Sequence, residues 1–222
     1  MPRIAKGRSD GLIYHILNRG NGRQNVFHKD GDFKAFHELL AKVQELYGVN
    51  ILAYCLMTNH FHLLLQPTIA EDLSRGMQWL MTSHVRRYHR HYGTSGHVWQ
   101  GRYKSFIVQE DDHLMTVARY IEGNPVRASM VASARDWNWS SHKERADATD
   151  RKILAEFPVA LPANWTEYVD AALTSSEIER LRRSVNRQAP YGGDIWMNMV
   201  CRAFGLESTV RRRRRPAIEK EK

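Results

Sequence analysis

The chain has 222 residues, of which 42% are hydrophobic, and it carries a formal net charge of +9. This length suits one well-buried domain with a small addition, and the excess of Lys and Arg indicates a polyanionic partner. No apolar run approaches the roughly 18 residues that span a bilayer. No apolar segment of a secretory signal follows the basic first residues, and the two cysteines lack the spacing of metal ligands or of a redox pair. These observations argue against membrane and secreted proteins and predict a cytoplasmic location.

The first 125 residues alternate between strand and helix patterns. Apolar runs closed by turn signals predict four strands, at 12–17, 49–57, 61–66 and 103–109. Apolar residues at steps of three and four predict three helices, at 32–47, at 73–92 and from 111 onward. The first six elements have the order of an α+β ferredoxin-like sandwich, an antiparallel sheet with helices on one face. The third helix is expected against or beside that core.

The composition changes after about residue 141. Residues 143–156 are charged and poor in large apolar groups, so we place a domain boundary between 145 and 146. Residues 146–222 are predicted to be a helical C-terminal extension, with short helices at 165–173, 176–185 and 195–204. Its end, 208–222, holds seven Lys or Arg and two Glu. Such a run is typical of a solvated basic tail.

Two histidines, His60 and His62, lie two residues apart in the third predicted strand. Side chains on a strand alternate between faces, so both imidazoles point the same way, with Cβ atoms roughly 6.6–7 Å apart. Phe61, Leu63 and Leu65 then fill the opposite face. This spacing allows two imidazole nitrogens to bind one divalent ion. The alternative is a pair of polar residues on the solvent-facing side of a half-exposed strand.

A second polar group lies on the third predicted helix. Tyr120 and Asn124 are four residues apart and share a face, which His113 and Thr116 continue toward the N-terminus. A tyrosine kept off the apolar face, one turn from an amide oxygen, could act as a nucleophile beside a metal ligand. The alternative is an ordinary amphipathic tyrosine at the boundary between sheet and helix.

Basic residues interleaved with Tyr and His are typical of nucleic-acid binding, because phosphate contacts and base stacking need both kinds of side chain. Arg102 and Lys104 are predicted on one face of the fourth strand. A flexible polar edge beside the sheet is predicted from His15, Asn18, Arg19, Gly20 and Gly22. Each cation alone could be a solvated charge, but as a group we expect a DNA track formed by Arg19, Arg86, Arg87, Arg90, Arg102, Lys104 and Arg127.

Three blocks of sequence resemble a known family. NHFHLLLQP at 59–67, WQGRYKSF at 99–106 and RYIEGNPVRA at 119–128 resemble the REP-associated tyrosine transposases, relatives of the HUH single-tyrosine transposases of bacterial insertion sequences. The resemblance covers residues 10–142, and the segment 186–216 resembles, less distinctively, the C-terminal extension of longer members.

The resemblance implies a role for each site residue. It makes residues 1–145 an HUH transposase catalytic domain, with His60 and His62 as metal ligands around the bulky apolar Phe61. Tyr120 matches the catalytic tyrosine. Asn124 falls where relatives place a polar third ligand, often Gln, and Glu122 is a secondary candidate.

The resemblance also implies the substrate, a single-stranded DNA hairpin from a repetitive extragenic palindrome (REP). Cleavage and rejoining would pass through a 5′-phosphotyrosine and a free 3′-hydroxyl. Two imidazoles and an oxygen ligand with open positions suit Mg²⁺ or Mn²⁺. We expect a bacterial, nucleoid-associated protein that acts as a monomer, with a dimer left open.

Two other functions stay open at this point. A domesticated transposase could bind DNA or RNA hairpins for regulation, and it would form no covalent adduct with DNA. A metal-dependent phosphodiesterase could use water as its nucleophile, and Tyr120→Phe would then retain cleavage. The presence of His60, His62 and Tyr120 together favours the transposase.

Overall fold

The computed structural model describes residues 10–147 and 153–211, and within them four strands form one sheet. The strands are β1 (Ile13–Arg19), β2 (Val49–Met57), β3 (His60–Pro67) and β4 (Lys104–Val108). Neighbouring strands are all antiparallel, in the order β2-β3-β1-β4. This is the strand order of a ferredoxin-like sandwich, so the predicted α+β class is confirmed. The histidine-bearing strands β1 and β3 lie at the centre of the sheet.

The described residues also form nine α-helices. They are α1 (Asp30–Tyr47), α2 (Ala70–Tyr92), α3 (Asp112–Glu122), α4 (Asn124–Arg127), α5 (Ser141–Ala146), α6 (Trp165–Asp170), α7 (Ser175–Arg187), α8 (Asp194–Phe204) and α9 (Glu207–Val210). Gly48 and Gly93 end α1 and α2 in the left-handed conformation that glycine adopts without strain. Asp111 begins α3, because its side chain accepts a hydrogen bond from the His113 backbone N–H.

One face of the sheet packs against α1 and α2. Phe61, Leu63 and Leu65 of β3 point into this layer, as the alternation of the strand predicts. The two helices bury an apolar stripe against them that includes Phe36, Leu40, Val43, Leu73, Met77 and Leu80. The predicted helical cover of this face is therefore present, and it leaves His60 and His62 on the other side.

The opposite face is covered by α3 and by helices from the C-terminal part. Its apolar contacts join the sheet to α3, α6 and α7 through Leu64, Phe106, Leu114, Val117, Ile121, Trp165 and Leu181. The predicted packing of helices on one face of the sheet is therefore correct for α1 and α2. Helix α3 packs on the other face and forms a second helical layer with α6 and α7. The two predicted groups of site residues face each other between the sheet and this layer.

The C-terminal part also covers both edges of the sheet. Leu154 forms a parallel bridge with Ile51 at the β2 edge, and Tyr191 forms one with Val108 at the β4 edge. The Tyr191 N–H donates to the Ile107 carbonyl at 2.8 Å, which satisfies an edge acceptor. The boundary at 145/146 stays a prediction, and residues 148–152 and 212–222, including Arg212 to Arg215, lie outside the described residues.

Candidate active site

The structure brings the four predicted site residues together. The rings of His60 and His62 have centroids 5.2 Å apart, and the Tyr120 ring centroid lies 5.7 Å from that of His62. Asn124 places its side-chain nitrogen 3.4 Å from the His60 Nε2. Strand β3 supplies the two imidazoles and the end of α3 supplies the phenol. Asn124 comes from the first position of α4, just after the turn that ends α3.

Each imidazole is held through its Nδ1 atom. His60 Nδ1 lies 2.7 Å from the side-chain oxygen of Asn59, and His62 Nδ1 lies 2.8 Å from the Nε2 atom of His15. An Nδ1–H that donates to such a partner leaves the lone pair on Nε2. A metal-binding histidine is usually held in this way by a hydrogen bond on its other nitrogen.

The surroundings keep both imidazoles neutral. Burial lowers the pKa of His60 to about 4, and the charges of Arg19 and Arg127 act in the same direction. Burial also lowers the pKa of His62 well below its usual value, with His15, His60 and Arg127 adding to the effect. A neutral imidazole has a free lone pair at neutral pH, and this is the form that binds a cation.

Arg127 belongs to the site through its contact with Tyr120. Its guanidinium lies 4.1 Å from the centroid of the Tyr120 ring, and its Nη2 donates to the Tyr120 carbonyl at 2.6 Å. A cation over an aromatic ring restricts the ring and stabilises negative charge that develops on it. Arg127 was predicted only as a DNA contact, and the structure places it against the candidate nucleophile.

The turn between α3 and α4 sets the position of Asn124. Gly123 joins the two helices, and a Cβ atom there would lie 3.0 Å from the carbonyl oxygens of Arg119 and Val169. A larger residue would force the junction away from α6. The short helix α4 can therefore begin directly at Asn124, with its side chain turned toward His60.

A divalent cation fits this arrangement in its donor chemistry. His60 and His62 would hold the cation through their Nε2 atoms. Asn124 would add its amide oxygen, which a half-turn of the amide group would bring to the place of the amide nitrogen. Among the described residues, no three His, Cys, Asp or Glu side chains converge on a common metal position. The remaining ligands would therefore be water or substrate oxygens, as in open sites.

Glu122 is not part of this group. It is fully buried on the other side of α3, where its carboxylate accepts hydrogen bonds from Ser141, His142, Arg145 and Trp165. Burial alone would raise its pKa, but the hydrogen bond from His142 and the charge of Arg145 lower it to about 2. This carboxylate links α3 to α5 and α6, and the structure gives it no position as a metal ligand.

The predicted DNA contacts fall into two groups. Arg19, at the end of β1, pairs with His60 in the sheet register and lies beside the site. Lys104 is exposed at the start of β4, while the exposed Arg102 precedes the strand, so their predicted sharing of one strand face is wrong. The other group, Arg86, Arg87 and Arg90, belongs to α2, which packs on the opposite face of the sheet.

The predicted flexible polar edge is also wrong. Strand β1 lies between β3 and β4, so it is not an edge. His15 is completely buried and Asn18 is 6% exposed. Asn18 donates to the Gly101 carbonyl at 3.2 Å, which ties β1 to the segment before β4. This part of the chain is a packed core strand, and Arg19 at its end is half-buried.

Three further residues near the site have roles that the sequence analysis did not predict. His15 and Asn59 hold the two site histidines through hydrogen bonds. Arg182, exposed on α7, adds positive charge near Arg127, whose pKa is lowered chiefly by burial and also by this neighbour. Asn59 could have been found from its position directly before His60. The other two depend on long-range packing.

Comparison with known proteins identifies the family. The model of the family described as "Transposase IS200 like" matches residues 8–124, which is more than half of the chain. The chain therefore belongs to the IS200-like transposases, and the resemblance seen in its motifs is confirmed.

Two similar proteins extend this comparison. A Haemophilus influenzae protein named as a REP-associated tyrosine transposase is 27% identical over 117 residues, covering 48% of this chain and 66% of the relative. The match thus spans slightly less than two thirds of that protein. A solved structure of a REP-associated tyrosine transposase bound to a REP hairpin is 19% identical, with a TM-score of 0.55, covering 73% of this chain and 96% of the other.

At 19% identity, the similarity to this solved structure shows a shared fold. Its match extends over more of this chain than the family model does. No helix among the described residues is long and apolar enough to cross a membrane.

Proposed function

We propose that this chain is a metal-dependent transposase that cleaves and rejoins single-stranded DNA through a covalent bond to Tyr120. The observation that supports this most strongly is the meeting of Tyr120 with His60, His62 and Asn124 at one place. These residues come from two parts of the chain that are distant in sequence, yet the Tyr120 ring lies 5.7 Å from that of His62 and the Asn124 amide lies 3.4 Å from His60. Membership of the IS200-like transposases supports the same chemistry.

In the proposed reaction, the Tyr120 phenolic oxygen attacks the phosphorus of a phosphodiester. The bond from phosphorus to the 3′-oxygen breaks, the phenol proton is lost to solvent, and the 3′-oxygen takes up a proton. The 5′-phosphate stays on Tyr120 as a phosphotyrosine. Because one ester replaces another, attack by a second 3′-hydroxyl can reverse the step and join strands without ATP.

The residues around Tyr120 have separate roles in the proposed reaction. Arg127 lies over the ring of Tyr120 and would supply positive charge to a phosphate that this tyrosine attacks. His60, His62 and Asn124 would hold Mg²⁺ or Mn²⁺, which when bound polarises the phosphate and stabilises the leaving oxygen. Arg19 pairs with His60 in the sheet register and would contact the DNA backbone.

We further propose that the substrate is a folded hairpin of the REP type with single-stranded flanking nucleotides. The similar solved structure is of a REP-associated transposase bound to a REP hairpin. The net charge of +9 suits such a polyanion. Arg19 pairs with His60 in the sheet register, the exposed Arg102 and Lys104 lie before and at the start of β4, and the charge of the exposed Arg182 acts on Arg127. A second basic group lies on α2, on the other face of the sheet.

The test is a covalent-adduct assay with labelled hairpin DNA and Mn²⁺. Wild-type protein should yield a labelled band that survives denaturation, and Tyr120→Phe should yield none while binding the hairpin within a few-fold of wild type. Tyr168→Phe is the matched control, because this tyrosine of α6 also has an arginine over its ring, with the Arg119 guanidinium 4.4 Å from the ring centroid. It should form the adduct at the wild-type rate.

Two results would separate the proposal from its alternatives. Cleavage retained in Tyr120→Phe would indicate that water is the nucleophile, as in a phosphodiesterase. Tight hairpin binding by the wild-type protein, with neither cleavage nor adduct in Mg²⁺ or Mn²⁺, would identify a binding protein that has lost its activity.

A further inference from the structure

The buried residue His15 makes a specific contact with one of the site histidines. It lies on the central strand β1, is 0% exposed, and packs edge-on against Phe106 with ring centroids 4.8 Å apart. Its Nε2 atom is 2.8 Å from His62 Nδ1. In the sheet register His15 pairs with Leu64, so it is the diagonal neighbour of His62 on the same face.

This contact decides which nitrogen of His62 is available. With Nδ1 engaged by His15, only Nε2 is left to bind anything that enters the site between β3 and α3. His15 itself does not act as a third ligand, because no three such side chains converge among the described residues. Its other nitrogen, Nδ1, is buried without a hydrogen-bond partner there. A buried polar atom left without a partner costs free energy, and His84 in the opposite layer has the same feature, so the contact with His62 is what distinguishes His15.

We propose that His15 is a positioning residue that holds His62 with its Nε2 toward the divalent cation. The inference rests on the proposed function, since it assumes that His62 binds a metal. His15 accepts the His62 Nδ1–H, which fixes both the tautomer and the rotation of the ligand ring. Loss of such a partner typically weakens metal binding by about ten- to a hundred-fold.

The decisive measurement is Mn²⁺ affinity without DNA, from electron paramagnetic resonance of the free ion. His15→Phe keeps a ring in the same space but removes the acceptor, and it should weaken binding at least tenfold. His15→Gln keeps an acceptor at nearly the same reach and should restore affinity to within a few-fold of wild type. This rescue would not follow from a packing role, because Phe fills the space better than Gln.

The matched control is His84→Phe. His84 is also a buried histidine with an unpartnered Nδ1, but it lies on α2 in the opposite layer, with its ring 5.1 Å from Trp99. Its substitution should leave Mn²⁺ affinity unchanged. Thermal unfolding of each variant checks that it is folded at the temperature of the titration.

A spectroscopic measurement on the wild type covers the case in which a variant fails to fold. In protein loaded with diamagnetic Zn²⁺, nitrogen-15 spectra of the histidines should show His62 with the metal on Nε2 and a proton on Nδ1. Zn²⁺ on Nδ1, or equal Mn²⁺ affinity in wild type and His15→Phe, would overturn the inference.

Failure of the inference can be told apart from failure of the proposed function. A wild-type adduct together with unchanged metal affinity in His15→Phe would overturn only the role of His15. No adduct, together with His15-dependent Mn²⁺ binding, would overturn only the transposase chemistry. Absence of Mn²⁺ and Zn²⁺ binding in the wild type would overturn the inference and the metal dependence together.

Discussion

Replacing Glu122 by alanine should strongly destabilise the protein, although this residue is outside the candidate site. Its carboxylate is 0% exposed and accepts from Ser141 at 2.5 Å, Trp165 at 2.7 Å, Arg145 at 3.0 Å and His142 at 3.1 Å. Removing one partner of a buried ion pair typically costs about 3–5 kcal/mol, because the remaining charge has no compensation. For a chain of this size, that corresponds to a fall in Tm of roughly 6–20 °C.

The assay is urea unfolding followed by circular dichroism, with thermal unfolding as a second measure. Glu179→Ala, on the exposed surface of α7, is the matched control and should change stability by less than about 0.5 kcal/mol. Where Glu122→Ala is still folded, its Mn²⁺ affinity should stay within a few-fold of wild type. A destabilisation of less than about 1 kcal/mol would refute the stabilising role of this network, and a lost metal site would show that Glu122 is a ligand.

Three other predictions concern the site and the DNA. His60→Ala should abolish metal-dependent cleavage, while Asn124→Ala should have a milder effect because water can replace an amide oxygen. Titrations of the cleavage rate with Mn²⁺ check both variants, and an unchanged metal requirement in His60→Ala would exclude His60 as a ligand. Arg182→Gln should weaken hairpin binding several-fold in a filter-binding assay, and unchanged affinity would remove Arg182 from the DNA-binding surface. Deletion of residues 212–222 should weaken binding and flatten its salt dependence, by about 0.7 in the slope of log K against log salt for each phosphate that the tail neutralises, with the cleavage position unchanged.

The deletion should begin after Arg211 because of the packing of the C-terminal part. Arg183 donates to the Val210 carbonyl at 2.9 Å, so a deletion beginning at residue 208 would also remove packed residues of α9. A salt slope unchanged by the shorter deletion would contradict a contribution of the tail to phosphate binding.

Much of the site follows from local spacing in the sequence. Alternation along β3 predicts His60 and His62 on one face, and helical spacing predicts Tyr120 and Asn124 on one face of a helix. The two imidazoles do lie on one face of the sheet, with ring centroids 5.2 Å apart. Tyr120 and Asn124 lie in two helices, because α3 ends at Glu122 and α4 begins at Asn124, and the turn at Gly123 sets their relative position. The structure also confirms the ferredoxin-like class that the order of the six elements predicts, since short connections and the split βαβ pattern leave few alternatives.

Two of the missed roles, those of His15 and Arg182, depend on contacts between distant parts of the chain. His15 has no local signal that separates it from an exposed polar residue, since its burial comes from the register of β1 against β3 and from α3 above it. The contribution of Arg182 likewise depends on how α7 packs on the sheet. A shift of one residue in the β1 register would turn His15 to the other face, and the sequence alone does not fix that register.

The most direct test of the central claim is to find the atom that carries the DNA. The wild-type adduct should be digested with a protease and a nuclease, and the modified peptide sequenced by mass spectrometry. We expect a 5′-phosphonucleotide on the oxygen of Tyr120, in the peptide that contains Ile121 and Glu122. A nucleotide attached to any other residue, or a 3′-phosphate linkage at Tyr120, would contradict the proposed chemistry.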